Sequence, residues 1–345
     1  MERYLDYTVN VLEKLLKIPS PTGDTNKIIE ILKHTFEDMG LKSKITIKRG
    51  LIVEVEGEIK DKVRVISAHA DTLGAMVKDI KSNGRLLLTQ LGGYSWHTVD
   101  GENCVISTLE GKKYTGTILF DKTSVHNYGD SPRNDKRDDK NMEVRIDERV
   151  YSKDDVDSLG INVGDFVSFD TRTIVTESGF IKSRHLDDKV SVAIILGLCK
   201  YIVENNITPK YTLNFLISNY EEVGHGAAFL PKNSFEILAI DMASPGQGQT
   251  SKEEYVTICA KDSSGPYDYE LRKKLVGLAK EDYIEYAIDI FNFYGSDASA
   301  AVRAGNNVRH GLIGPGVDAS HGYERTHKLG ILNTLKLLGK YIESL

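Results

Sequence analysis

Val63-Arg64-Val65-Ile66-Ser67-Ala68-His69-Ala70-Asp71 begins as an apolar, β-branched run and passes without a turn signal into Ala-His-Ala-Asp. The run reads as a strand, so His69 and Asp71 fall at its C-terminal end. In open α/β sheets, ligands collect beyond the carboxyl ends of the strands. In an extended segment an i, i+2 pair lies on one side. Asp71 can therefore accept a hydrogen bond from the His69 imidazole while the other ring nitrogen holds a metal. Taken alone, the pair is more often a satisfied surface histidine beside an Asp turn.

Upstream, Leu51 to Val55 reads as a second strand, and residues 4–17 and 25–39 carry apolar side chains at helical spacing around the loop Ile18-Pro-Ser-Pro-Thr-Gly23. From Leu73 to Asp170 the texture changes to short β-rich pieces: Arg85 to Gln90, Asn103 to Ser107, Tyr114 to Phe120 and Phe166 to Phe169. Helix and strand then alternate again. Leu186 to Glu204 reads as a helix, Tyr211 to Ser218 as a buried strand, Ala227 onward as a short helix and Ile237 to Ile240 as a strand. Tyr286 to Phe291, a helix near Asp297 to Arg303, Val308 to Ile313 and a long helix from Glu324 to Glu343 complete the series. The simplest architecture is one α/β domain made of residues 1–72 and 171–345, with a small β-rich domain, residues 73–170, inserted in it.

A chain of 345 residues exceeds the size at which one core usually stops growing, which fits two domains. Its 40% hydrophobic and 27% charged residues describe an ordinary globular protein, and a net charge of −6 offers no general attraction for nucleic acid or anionic membrane. Asp135, Asp138 and Asp139 neutralise the basic residues of Arg133 to Lys140, which reads as a solvated loop. Cys104, Cys199 and Cys259 are odd in number and far apart, which suggests a reducing cytoplasm rather than a disulfide framework. The first residues are amphipathic and include acids, and the most apolar run, Val190 to Cys199, is half a membrane span, so neither export nor insertion is expected.

H-E-x-x-H, G-x-S-x-G, a Walker A loop and a complete dinucleotide fingerprint are all missing. What remains is a set of carboxylates and histidines at strand ends. Asp187-Asp188 precedes the apolar helix, where aspartate is a favoured cap; alternatively, one of the pair bridges two cations, Asp187 first and Asp188 as the fallback. Glu221-Glu222 follows a strand, and neighbouring side chains there point opposite ways, so one can ligate metal while the other serves as general base. His225, between glycines, reads as a loop residue. With Asp241 and His321, the set His69, Asp187, Glu222, Asp241 and His321 has two histidines and three carboxylates, a mixture suited to Zn²⁺, Co²⁺ or Mn²⁺, and it leaves Glu221 as the base.

The ordered series Ala68-His-Ala-Asp71, Ser183-Arg-His-Leu-Asp-Asp-Lys189, Glu221-Glu-Val-Gly224, Asp241-Met242, Lys261-Asp-Ser-Ser-Gly-Pro266, Tyr294-Gly-Ser-Asp-Ala298 and Ser320-His-Gly-Tyr-Glu324 resembles metallopeptidase family 42 over essentially the whole chain. This is the family of tetrahedral aminopeptidases, which includes glutamyl and deblocking aminopeptidases. The resemblance implies a mixed-sheet, three-layer α/β peptidase domain with an inserted PDZ-like dimerisation domain, and dimers that assemble into a dodecamer. It implies two divalent ions per subunit, Zn²⁺ or Co²⁺ ahead of Mn²⁺: His69 and Asp241 for one, Glu222 and His321 for the other, Asp187 as bridge. Glu221 would be the general base and Asp71 would orient His69, for removal of N-terminal residues from peptides. Ala70 and Thr72 depart from the Met and the acidic residue that many members carry around this aspartate, which bears on substrate contacts more than on the ligands. Competing readings on the same ligands are a dimetal deacylase or carboxypeptidase acting on N-acyl amino acids and, less favoured, an endoglucanase.

Overall fold

The computed structural model describes residues 1–345, and the chain divides into two compact units, Met1–Asp71 with Arg172–Leu345, and Thr72–Thr171. The first unit is built on a nine-stranded mixed sheet. At its centre Tyr211–Ser218, Ile59–His69, Ser234–Ile240 and Arg309–Pro315 lie side by side and parallel. Antiparallel pairing extends the sheet through Leu51–Val55 and Lys42–Ile45 on one side and Val256–Asp262 on the other.

The central strands are buried on both faces, which is why they read as continuous apolar runs rather than as alternation. Ile66, Phe215, Leu238 and Ile240 pack with the helices Leu5–Leu16, Asn26–Asp38, Leu186–Glu204 and Lys328–Glu343. Val65, Leu216, Ile237 and Ala239 point the other way, onto the short helix Asp297–Arg303 and loop side chains such as Ala227 and Leu230. Every residue from Leu186 to Cys199 is buried, as expected of a helix that from Val190 onward is almost wholly apolar. No helix is long and apolar enough to cross a membrane.

The second unit is a closed six-stranded barrel of Gly74–Ile80, Leu86–Leu91, Met142–Ile146, Lys113–Phe120, Asn103–Ser107 and Phe166–Phe169, filled by residues such as Val77, Leu88, Ile106, Ile118 and Val144. Its charged stretch is not wholly solvated, because Arg137 lies 3.0 Å from Asp100 and stacks its guanidinium 4.4 Å over Phe120.

Two segments expected to be helical at their start take another form. The residues after Ala227 form turns, not a helix, because Gly224 takes a left-handed φ of 84° and Pro231 closes the run before a helical turn can propagate. Glu324–His327 is a strand paired with Phe180–Ser183, so the final helix starts only at Lys328, where the His327 ring accepts the Leu329 N–H at 3.1 Å.

Arg64, in the middle of the central strand, is fully buried and sits directly across from Glu236. Its Nε donates to Glu236 Oε1 at 2.9 Å and its Nη1 to the Tyr341 carbonyl at 2.7 Å, while the Tyr341 hydroxyl donates to the same Glu236 oxygen at 2.7 Å. This network ties the C-terminal helix to the sheet. Removing one partner of a buried ion pair strands the other charge. Arg64→Met should therefore lose about 3–5 kcal/mol in denaturant unfolding, and adding Glu236→Leu should restore part of that loss. Additive losses would show that the pair is not coupled.

Candidate metal centre and its surroundings

The register of three neighbouring strands brings the site together. Ser218 pairs with His69, and Ala239 with Ser67, so the three strands end at one level with His69, the Glu221-Glu222 turn and Asp241 on their tips. Arg309–Pro315 runs alongside and leads into the turn that carries His321. Gly314 permits this approach, since a Cβ there would lie 1.5 Å from the Asp241 carbonyl oxygen. Asp187 comes from the opening of the helix Leu186–Glu204, where Asp187 and Asp188 have non-helical torsions and are joined by a cis peptide bond.

Ligand-type atoms converge in two groups, His69 with Asp187 and Asp241, and Asp187 with Glu222 and His321, with atoms within 4.8 Å of one another in each. Asp187 belongs to both. Its Oδ1 lies 3.1 Å from His69 Nε2 and its Oδ2 lies 3.3 Å from His321 Nε2, so each oxygen faces a different histidine. Glu222 Oε2 is 3.6 Å from His321 Nε2, and Glu221 Oε2 is 3.8 Å from His69 Nε2. Thus the five residues read as ligands and Glu221 are brought together. Asp188 is not beside the bridge position; its Oδ2 accepts the His69 backbone N–H at 3.1 Å. His225 is exposed, with its ring stacked on Tyr220.

The structure changes one expected contact. His69 Nδ1 lies 2.8 Å from the backbone carbonyl of Asp71 and 3.6 Å from its Oδ1, so the carbonyl, not the carboxylate, is its hydrogen-bond partner. The Asp71 carboxylate instead accepts the backbone N–H groups of Glu221 (3.2 Å) and Glu222 (3.4 Å) and the Thr22 hydroxyl (2.8 Å). The carboxylate thus fixes the acidic turn, and the carbonyl the imidazole. Two further buried carboxylates, missed as individuals in the sequence, do similar work. Asp297 accepts from Ser218 Oγ at 2.6 Å and from the Ala227 N–H at 2.8 Å, while Glu324 accepts the N–H groups of Asp187 and His321, both at 3.1 Å.

So many acids in so little water disturb their proton affinities. Burial and the charge of Asp187 push Glu222 up to about 8 and Asp241 up to about 7. Burial, with Asp241 and Asp297 adding to it against the pull of His69, raises Glu221 well above the usual carboxylate range. Burial opposes charge on both His69 and Asp187. Their hydrogen bond and the surrounding acids nevertheless hold the imidazole well above its ordinary value, while His321 and His69 hold Asp187 below its own. Glu222 Oε1 is buried without a hydrogen-bond partner. A donor set rich in anions, with mixed N and O atoms and an unsatisfied buried oxygen, fits divalent cations. A cavity of about 620 Å³ opens onto it, walled by Met242, Phe291, Phe293, Tyr294, Gln247 and Arg303.

The family model described as M42 glutamyl aminopeptidase matches residues 50–337. A Bacillus subtilis (strain 168) protein provisionally named as an aminopeptidase, YhfE, is 49% identical over 338 residues, covering 98% of this chain and 97% of its own. Among solved structures, the aminopeptidase APDkam598 of the archaeon Desulfurococcus kamchatkensis superposes with a TM-score of 0.87 at 20% identity, covering 99% and 95% of the two chains. The TET1 peptidase of Pyrococcus horikoshii superposes with a TM-score of 0.83 at 23% identity, covering 98% and 100%, and these two likenesses carry the fold. The family match over most of the chain, and a relative at almost half identity along its whole length, place this chain in the M42 peptidase family, as a hydrolase acting as an aminopeptidase.

Proposed function

We infer that the chain removes N-terminal residues from peptides at a site holding two divalent metal ions, with Glu221 as general base. The observation that carries this reading is Asp187, whose two oxygens face the two histidines of two overlapping ligand groups. His69, Asp187 and Asp241 would hold one ion and Asp187, Glu222 and His321 the other. Zn²⁺, Co²⁺ and Mn²⁺ all suit such donors. Bound there, the ions would supply Lewis acidity toward a peptide carbonyl and lower the pKa of water.

The remaining work falls to the protein. Glu221 stands at the border of the ligand cluster, and the Asp71 carboxylate holds its backbone N–H. From there it can take a proton from the attacking water and return it to the leaving amine. Asp71 acts as a positioning residue through the Glu221-Glu222 turn and, through its backbone carbonyl, the His69 ring. The walled cavity beside the acids offers room for the first residue of a peptide. The barrel, residues 72–171, is read as the PDZ-like dimerisation module of the three-layer peptidase domain, and the subunits as forming dimers and a dodecamer. The Pyrococcus horikoshii TET1 peptidase assembles into a tetrahedron or an octahedral shell, which supports a homo-oligomer. Three buried free cysteines suit a reducing cytoplasm.

Chelator-stripped protein should not release p-nitroaniline from an aminoacyl-p-nitroanilide panel, and added Zn²⁺, Co²⁺ or Mn²⁺ should restore release from one class of residue. Cleavage of N-acyl amino acids with silence across the panel would replace this reading with the deacylase. Glu221→Gln should lower kcat by about 10²–10⁴-fold with metal content unchanged, and near-normal turnover would remove Glu221 as the base. Light scattering should report an assembly far larger than one subunit; a monomer would defeat the oligomer.

A further inference from the structure

Glu324 is 1% exposed and stands outside both groups of converging ligand atoms. Its backbone is fixed by the strand pairing that sets it opposite Ser183, four residues before Asp187. From that position its carboxylate bridges two separate pieces of chain, with Oε2 accepting the Asp187 N–H and Oε1 the His321 N–H, both at 3.1 Å. The span it controls is the one from Asp187 Oδ2 to His321 Nε2, 3.3 Å. The other group shares Asp187 but not His321, and its remaining members are held elsewhere: the His69 N–H goes to Asp188, and the Asp241 carboxylate takes the neighbouring Met242 N–H at 2.7 Å.

We propose that Glu324 is a positioning residue that sets the spacing of Asp187 and His321, and so governs binding of a divalent cation at the Asp187–Glu222–His321 group far more than at the His69–Asp187–Asp241 group. The proposal rests on the dimetal reading above. Its physical basis is that partners behind the ligands fix ligand orientation, and their loss typically lowers metal affinity about 10–100-fold. Glutamine at this position keeps one carbonyl acceptor but turns an NH₂ toward the second backbone N–H, so one bond is lost and two donors face each other.

Calorimetric titration of Zn²⁺ into metal-free protein separates the possibilities. The unaltered protein should take up two ions. Glu324→Gln should bind the first nearly as well and the second about 10–100-fold more weakly, with turnover recovered and KM unchanged at saturating metal. Two ions bound as tightly as in the unaltered protein, or both weakened alike together with a lower Tm, would overturn the role. Should Glu324→Gln fail to fold, Glu324→Asp is measured in the same way, since it keeps the charge but is one methylene too short to reach both N–H groups. If the unaltered protein binds no metal, the dimetal reading fails first and this inference falls with it; if it binds two and the variants match it, only this inference falls.

Discussion

Like charges held in a water-poor pocket repel strongly, and at the 4.8 Å limit of the two ligand groups each carboxylate pair would cost about 3 kcal/mol at an effective dielectric constant of about 20. Burial, with the same repulsion added to it, is what raises the proton affinities of Glu222 and Asp241. A pocket that tolerates this crowding must be held rigidly by something other than the charges themselves. Much of the first unit's architecture can be understood as the support that holds these groups where, left alone, they would separate.

That support has two layers. The parallel strands deliver His69, Glu221, Glu222 and Asp241 to one edge through register alone, with the burial of Val65, Ile66, Phe215 and Leu238 specifying that register. Behind the edge, Asp71, Asp188 and Glu324 take backbone N–H groups of the residues that carry the inner acids and imidazoles. Buried carboxylates satisfied by backbone donors are compatible with a dry interior. Left-handed torsions at Tyr220 and His321, beside and within the site, are costly for non-glycine residues and persist only where the surroundings impose them.

Much of this was legible in the chain, for reasons that differ by element. The strand into His69, the helix Leu186–Glu204 and the strand Tyr211–Ser218 are apolar enough that local pattern and burial agree. Lys78-Asp79 breaks the alternation of the barrel strand Gly74–Ile80, whereas Met142–Ile146 alternates apolar and charged residues and is obscured only by its brevity beside the charged stretch that precedes it. The helix Tyr269–Glu281 was also missed, although Asp268 caps it by accepting the Leu271 N–H at 2.8 Å, a signal visible as an aspartate just ahead of the run. Glu324 reads as the start of the final helix in the sequence because the partner that makes it a strand, Phe180–Ser183, is far away along the chain.

The sequence by itself determined which residue types could do chemistry and that they stand at strand ends, because acids and histidines interrupting apolar runs are local facts. It also determined the change of texture that marks off the β-rich segment. Only the tertiary structure decided how those residues are arranged: that Asp187 rather than Asp188 presents an oxygen to each histidine, that the Asp71 carboxylate grips the acidic turn while its carbonyl takes the imidazole, and that Glu324 clasps the backbones of Asp187 and His321. The reason is physical. Hydrogen bonds between side chains and backbone groups far apart in the chain depend on ångström-scale positions that strand register and side-chain packing create together, and spacing along a sequence carries no record of them.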